Sequence, residues 1–243
     1  MGDRWPTALW EQTRMELLLT LRRGEAVLLT LVIPVGLLLF FGSTGLFDIT
    51  VEFLVPGLLT LSIISSAFVS MAIATGYERK FLVLKRLGVT PLPRWILIAA
   101  KSVSVAVIEV VQFVLVAGIA VLALDWEPAF HVGWGAAGLA LGTSAFIGSA
   151  MLLAGTMRAE ATLALSNGLY VVFLGLGDVI VPIAALPAAL QTVARILPGA
   201  PLAAVMRGAA SGAEVGSASV WSLVLWAIAA PLLATRVFTW QER

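Results

Sequence analysis

The chain has 243 residues, of which 60% are hydrophobic and 12% are charged, and its formal net charge is +1. A typical soluble domain is about 45–50% apolar and about 25% charged, so this composition argues against a soluble enzyme or a disordered chain and for an integral membrane protein. Cysteine is absent, which excludes disulfides, thiolate metal sites and cysteine nucleophiles.

The N-terminal segment 1–25 is predicted to carry an amphipathic helix, over residues 4–23, that lies along the membrane surface. Its apolar side chains would enter the interface while the charged ones stay in water. The apolar set is Trp5, Leu9, Met15, Leu18 and Leu19. A solvated tail before the first span is the alternative, and a cleaved signal peptide is not expected because the apolar run begins too late.

Six apolar stretches are each long enough for a membrane-spanning helix, which takes about 20 residues. The predicted spans are 26–43, 53–76, 95–123, 132–156, 161–181 and 217–238. The third is long enough to be tilted, kinked or broken. Residues 182–212 contain four prolines, so short helices at or dipping into one membrane face are predicted there instead of an unbroken span.

The basic residues indicate the orientation of these spans. All except Arg195 and Arg207 lie before span 1, between spans 2 and 3, at the near end of span 3, between spans 4 and 5, or near the C-terminus. The positive-inside rule then places both termini in the cytoplasm, and an even number of spans requires that they share one side. A multi-pass protein of a bacterial inner membrane is predicted.

Candidate catalytic and metal-binding groups are scarce. His131 is the only histidine, and zinc needs three or four ligands. A phosphate-binding loop requires a Gly-Lys pair, which none of the three lysines forms. We expect no catalytic residue, no metal and no cofactor on this chain, so any nucleotide would bind to another chain.

The loop between spans 2 and 3 has the most informative pattern. Residues 78–87 are predicted to form a short amphipathic helix that Gly88 ends. Phe81, Leu84 and Leu87 recur at helical spacing between basic residues. One interpretation is a basic loop that only satisfies the topology, but such a loop has no need of these apolar side chains, so we expect the helix to enter a groove of a cytosolic partner.

Four features extend over nearly the whole chain. They are an Arg-rich helix running into Leu-Thr-Leu-Val-Ile-Pro-Val at 29–35, Glu-Arg-x-x-x-x-x-Lys-Arg-Leu-x-Val-Thr-Pro-Leu-Pro-Arg at 78–94, Leu-Pro-Gly-Ala-Pro-Leu at 197–202 followed by Arg207, and a short basic tail after the last span. Together they resemble the ABC-2 permease family, the membrane subunits of ABC exporters, and its small drug-resistance type in particular. One departure is Phe81-Leu82, where many members have Gly-Thr.

The resemblance implies one transmembrane domain over 1–243 that exports an amphipathic drug, lipid or lipid-like compound. Two permeases, identical or related, would sit above two cytosolic ATPases that bind ATP and Mg²⁺. Residues 78–88 would be the coupling helix seated in the ATPase, and 182–212 would be outer re-entrant helices that cap the path. The implied coupling contacts are Glu78, Arg79, Phe81, Leu84, Lys85, Arg86 and Leu87. A second contact would involve Arg14, Arg22 and Arg23.

Polar residues within the spans are the remaining candidates. Glu109 and Gln112 lie in span 3, where an ionisable group is costly and is a functional candidate by default; a carboxyl that holds two helices together is the alternative. The resemblance also suggests that Asn167, Tyr170 and Phe173 of span 5 contact substrate.

Two further interpretations of the sequence stay open. The rival function is a proton-coupled secondary transporter in which Glu109 carries the proton, although the two halves show no obvious repeat. A purely structural membrane partner gives no reason for the loop pattern.

Within span 4, Gly138 and Gly142 are predicted to allow close packing between helices of this chain.

Overall fold

A computed structural model describes residues 4–22, 24–44, 49–88 and 93–239, and these form helices and short connections without a β-strand. In chain order the helices are the N-terminal helix Arg4–Arg22, span 1 Gly24–Thr44, span 2 Val51–Lys80, the loop helix Val83–Gly88, span 3 Arg94–Leu124, span 4 Val132–Thr156, span 5 Ala159–Leu176, the bent pair Ala188–Ile196 and Gly199–Ser211, and span 6 Ser217–Val237. The prediction of an all-α integral membrane protein is confirmed.

Spans 2 to 6 are each long and apolar enough to cross a bilayer. Span 1 has 21 residues, or about 31 Å at ~1.5 Å per residue, which matches a hydrocarbon core of about 30 Å. Span 3 is one unbroken helix of 31 residues, so it extends beyond the hydrocarbon core or tilts within it.

Span 5 ends earlier than the predicted residue 181. Its last helical residue is Leu176, and Asp178 adopts a left-handed conformation with a φ of 57°. An L-residue in that conformation cannot continue a right-handed helix. Span 2 differs in the opposite sense, since its helix continues to Lys80 instead of stopping near 76.

The proline-rich segment contains no straight span, as predicted. The two helices of the bent pair meet at 77°. The second helix is largely buried and packs on span 4, where a Cβ on Gly142 would lie 2.8 Å from Leu202 and one on Gly138 would lie 2.9 Å from Met206. The prediction that these glycines serve packing within the chain is therefore confirmed.

Span 2 is the most buried of the apolar spans and lies at the centre of the bundle. A π-helical segment, Ile64–Ser70, interrupts it. Next to this segment Phe68 and Phe146 make edge-to-face contacts with Phe173, with ring centroids 5.8 and 5.3 Å away. We call the end of the bundle with the N-terminal helix and the loop helix the basic end, and the end with the bent pair the far end.

Candidate coupling interface and substrate path

The loop between spans 2 and 3 is not one helix over residues 78–87, and that prediction was wrong. Span 2 continues to Lys80, the chain turns at Phe81 and Leu82, and the loop helix begins at Val83. Leu82 has a φ of 58°, a left-handed conformation that interrupts any α-helix. The break falls at Phe81 and Leu82.

This turn exposes three consecutive apolar side chains. Phe81, Leu82 and Val83 are 63%, 44% and 39% exposed, and the basic side chains of Lys85 and Arg86 are exposed beside them. We call these five residues the loop patch. Leu82 and Val83 were missed from the sequence because helical spacing was assumed to continue across the turn.

Leu84 was predicted to project from the loop, but only 3% of it is exposed. Its side chain faces the bundle, where it lines a cavity of about 290 Å³ with Leu97, Met151 and Phe238. Once the helix restarts at Val83, position 84 turns toward the protein, so Leu84 is not a docking residue. The side chain of Leu87 lies outside the described part of the structure.

Glu78 also faces inward and does not belong to a docking surface. Its carboxylate pairs with the ammonium of Lys101 at 2.8 Å, and Glu16 of the N-terminal helix pairs with the same ammonium at 3.0 Å. Both carboxylates are largely buried, with side-chain exposures of 13% and 11%. We call Glu16, Glu78 and Lys101 the Lys101 triad; it ties the N-terminal helix to spans 2 and 3.

Arg79 is buried as well, with 2% of its surface exposed. Its guanidinium donates hydrogen bonds to the carbonyls of Ala154 and Met157 at the end of span 4, and to the hydroxyl of Thr239 just beyond span 6. The last turn of span 2 is thus joined to the ends of two other spans. The predicted docking role of Arg79 is wrong, because its side chain has no access to a partner.

The N-terminal helix presents different residues to the protein and to its surroundings. Arg14 and Arg22 are exposed, whereas Arg23 lies outside the described residues. Four of the five predicted interfacial side chains are exposed, namely Trp5, Met15, Leu18 and Leu19. Leu9 is half-buried. Thr13 and Glu16 are buried, so the helix is fixed to the bundle along one side.

Glu109 is completely buried at the junction of three spans. Its carboxylate accepts a hydrogen bond from Ser66 of span 2 at 3.0 Å and another from Thr143 of span 4. Gln112 is 1% exposed. No basic side chain in the described ranges forms an ion pair with Glu109. This geometry favours a carboxyl that holds spans 2, 3 and 4 together.

A second ionic cluster lies at the far end. Arg207 donates to both the carboxylate and the backbone carbonyl of Asp178, and its guanidinium stacks 4.0 Å above the ring of Phe53. Asp178 also accepts a hydrogen bond from the amide of Ile183 at 2.8 Å. These contacts join the end of span 5, the bent pair and the start of span 2. The sequence showed Arg207 but gave no signal for its partner.

Comparison with protein-family models matches residues 7–210 to the model described as ABC-2 type transporter. The chain belongs to the ABC-2 type transporter family. The match runs from the N-terminal helix to the end of the bent pair, so it includes the loop patch, both ionic clusters and Glu109. No curated protein gives a significant match. The family makes this chain the membrane-spanning permease subunit of an ABC transporter, and it implies an ATPase on a partner chain.

The three span 5 residues predicted to contact substrate have different environments in the permease. Asn167 is exposed, and Tyr170 is half-buried against the apolar core of the bundle. Phe173 is 5% exposed and belongs to the aromatic cluster with Phe68 and Phe146. Phe173 is therefore a core residue, which contradicts its predicted place on the path. Asn167 is the one of the three that is open to a neighbour.

Proposed function

We propose that the permease is half of an ABC exporter and that the loop patch is where a cytosolic ATPase attaches. The carrying observation is the run of exposed apolar side chains at Phe81, Leu82 and Val83 beside exposed Lys85 and Arg86. Exposure of three adjacent apolar side chains to water is unfavourable. A groove with apolar walls and an acidic rim on a partner would cover them and match the charges.

The packing behind the loop patch supports a mechanical role. Arg79 lies two residues before the patch and is hydrogen-bonded to the ends of spans 4 and 6. Glu78 ties the same turn to span 3 and the N-terminal helix. When the partner binds ATP with Mg²⁺ and hydrolyses the ATP, displacement of the loop would therefore move several spans together as a rigid body.

Span 5 supports a second permease as neighbour. Asn167 is an exposed amide within an apolar helix of 18 residues, and an unsatisfied amide facing lipid is costly. Open space also surrounds Gly168 and Gly175 of the same helix. A second permease, identical or related, placed against span 5 would remove Asn167 from lipid and leave a path between the two chains.

The proposed substrate is an amphipathic drug, lipid or lipid-like compound that moves outward, and the apolar character of span 5 fits such a molecule. The basic end would face the cytoplasm, with both termini, by the positive-inside rule. Asn167 is the polar group that span 5 offers to a path, and most of that helix is apolar. Such a path suits a substrate that is largely lipophilic and carries few charges.

The test is assembly and transport with a candidate ATPase. We expect Phe81→Ser to lower recovery of the ATPase at least tenfold when the permease is purified from membranes containing both chains. Phe130→Ser, at a 53% exposed residue of the far end, is the matched control and should leave recovery unchanged. Leu84→Ser should instead destabilise the permease, because Leu84 is buried.

Equal ATPase recovery for Phe81→Ser and the unaltered permease would contradict the docking role. Transport by the purified permease alone, driven by a pH gradient and lost in Glu109→Gln, would favour the proton-coupled alternative. Transport that requires ATP and the partner is the result that the export proposal expects.

A further inference from the structure

A cavity of about 210 Å³ lies between the N-terminal helix, span 2 and span 3 at the basic end. All three members of the Lys101 triad line it. The other polar lining comes from the hydroxyls of Thr20, Ser66, Ser70 and Ser104, and the rest of the wall is apolar. The docking role proposed above does not use this cavity.

The charges around the cavity do not balance. Lys101 carries one positive charge, whereas Glu16 and Glu78 carry two negative ones, and no other basic side chain in the described ranges pairs with either carboxylate. Lys101 is 4% exposed and Glu16 is 8% exposed. Oε2 of Glu78 is buried without a hydrogen-bond partner among the described atoms. A buried negative charge without compensation is costly.

The hydroxyls that line the cavity all donate their hydrogens elsewhere. Thr20 donates to the carbonyl of Glu16 at 2.8 Å, and Ser104 donates to the carbonyl of Lys101 at 2.8 Å. Ser70 donates to the carbonyl of Ser65 at 3.0 Å. Ser66 is within donating distance of both the Ser62 carbonyl and Glu109. A hydroxyl has one hydrogen, so these oxygens can only accept a further hydrogen bond.

We propose that this cavity binds a monovalent cation, either a hydrated alkali-metal ion or the ammonium head of a small amine. The lining offers several acceptor oxygens against the single ammonium of Lys101. The excess negative charge that remains attracts a cation and repels an anion. A water occupies about 30 Å³, so the cavity has room for a small cation with a few waters. The bound cation would restore neutrality and link the N-terminal helix to spans 2 and 3.

A divalent metal fits less well. The ammonium of Lys101 already occupies the position between the two carboxylates. Within the described part of the chain, no group of three or more histidine or acidic side chains is arranged to hold a metal ion. The chemistry therefore selects single positive charge.

Thermal unfolding of the purified full-length permease in lipid nanodiscs tests the proposal. At constant ionic strength, potassium, sodium or methylammonium chloride is compared with the chloride of the bulky cation N-methylglucamine. We expect a rise in Tm of about 3–6 °C with at least one small cation. A rise in Tm with potassium or sodium would identify an alkali-metal ion as the ligand, and a rise with methylammonium would identify an amine.

Two substitutions locate the response. Glu78→Gln removes the excess charge and keeps the pair between Lys101 and Glu16, so the half-saturating cation concentration should rise at least tenfold. Glu160→Gln is the matched control, because Glu160 pairs with Lys80 at the exposed surface of the basic end; it should leave the response unchanged. If Glu78→Gln does not fold, Ser70→Ala should raise the half-saturating concentration severalfold.

Three results would overturn the proposal. One is an equal Tm in all four cations. Another is an undiminished response in Glu78→Gln. The third is stabilisation by lowered pH with no cation response, which would mean that a proton shared by Glu16 and Glu78 neutralises the triad.

Discussion

The guanidinium of Arg79 donates a hydrogen bond to the backbone carbonyl of Met157, 2.9 Å away. The first residue comes from the last turn of span 2 and the second follows the end of span 4, so the bond joins two elements 78 positions apart in the chain. Directly after Arg79 and Lys80 comes the loop patch. A force applied to the patch therefore reaches spans 2 and 4 together.

Arg79→Ala should weaken the permease and its coupling. The change leaves the carbonyls of Ala154 and Met157 without their donor, and we expect the free energy of unfolding to fall by about 2–4 kcal/mol. ATPase activity stimulated by substrate should fall with it. Unfolding in mixed micelles and ATP turnover in proteoliposomes measure the two effects.

Two further variants serve as controls for Arg79→Ala. Arg79→Lys keeps the charge but offers fewer donor directions, so an intermediate effect is expected. Lys80→Ala removes a neighbouring charge from an exposed pair with Glu160 and should change stability little. Similar losses for Lys80→Ala and Arg79→Ala would show that the buried contacts do not matter.

Glu109→Gln should preserve transport. The amide keeps one acceptor oxygen for Ser66 or Thr143, so we expect a loss of only about 1 kcal/mol in the free energy of unfolding. Glu109→Leu removes both acceptors and should cost about 1–3 kcal/mol. ATP-driven uptake into inverted vesicles at matched expression is the measurement; abolished transport in Glu109→Gln would contradict the structural role.

Asn167→Leu should reduce transport while leaving the unfolding of the single permease almost unchanged. The side chain is exposed and makes no hydrogen bond within the described residues, so its removal costs the isolated chain little. If span 5 faced only lipid, leucine would be neutral or stabilising and transport would persist. Leu165→Ala, on the opposite side of the same helix, is the control and should transport normally.

Arg207→Ala should destabilise the far end. It removes two hydrogen bonds to Asp178 and the stacking on Phe53, and it leaves a mostly buried carboxylate unpaired. We expect a loss of about 2–3 kcal/mol after allowance for partial solvent exposure. Arg195→Ala provides the comparison, because Arg195 is exposed at the same end and pairs with no described acid. Equal losses in the free energy of unfolding for the two changes would contradict this prediction.

Most of the helical layout could be predicted, because long apolar runs and proline positions act locally. Spans 3, 4 and 6 agree with the predicted bounds to within a residue or two. The end of span 5 was predicted too late. The helix stops there because Asp178 adopts a left-handed conformation and pairs with Arg207, which is distant in the sequence. A short apolar run after Gly177 gave no sign of either.

The loop between spans 2 and 3 could be predicted only in part. The clustered basic and apolar residues indicated a special loop, but helical periodicity was extended through Leu82, where the chain turns. Because of that error, Leu84 was predicted to be exposed, and Glu78 and Arg79 were predicted to lie on a docking surface. Their partners, Lys101, Met157 and Thr239, lie in other spans, and spacing along one segment carries no information about which spans pack together.

The π-helical segment Ile64–Ser70 determines how the second half of span 2 is rotated about the helix axis relative to the first half. Each α-helical residue advances about 100° around the axis, and a π-turn takes in an additional residue without ending the helix. Deleting one residue there would rotate Glu78 and Arg79 away from Lys101 and Met157 while Leu54 and Leu58 kept their places. The wide turn therefore decides which side chains in the second half of span 2 face spans 3 and 4.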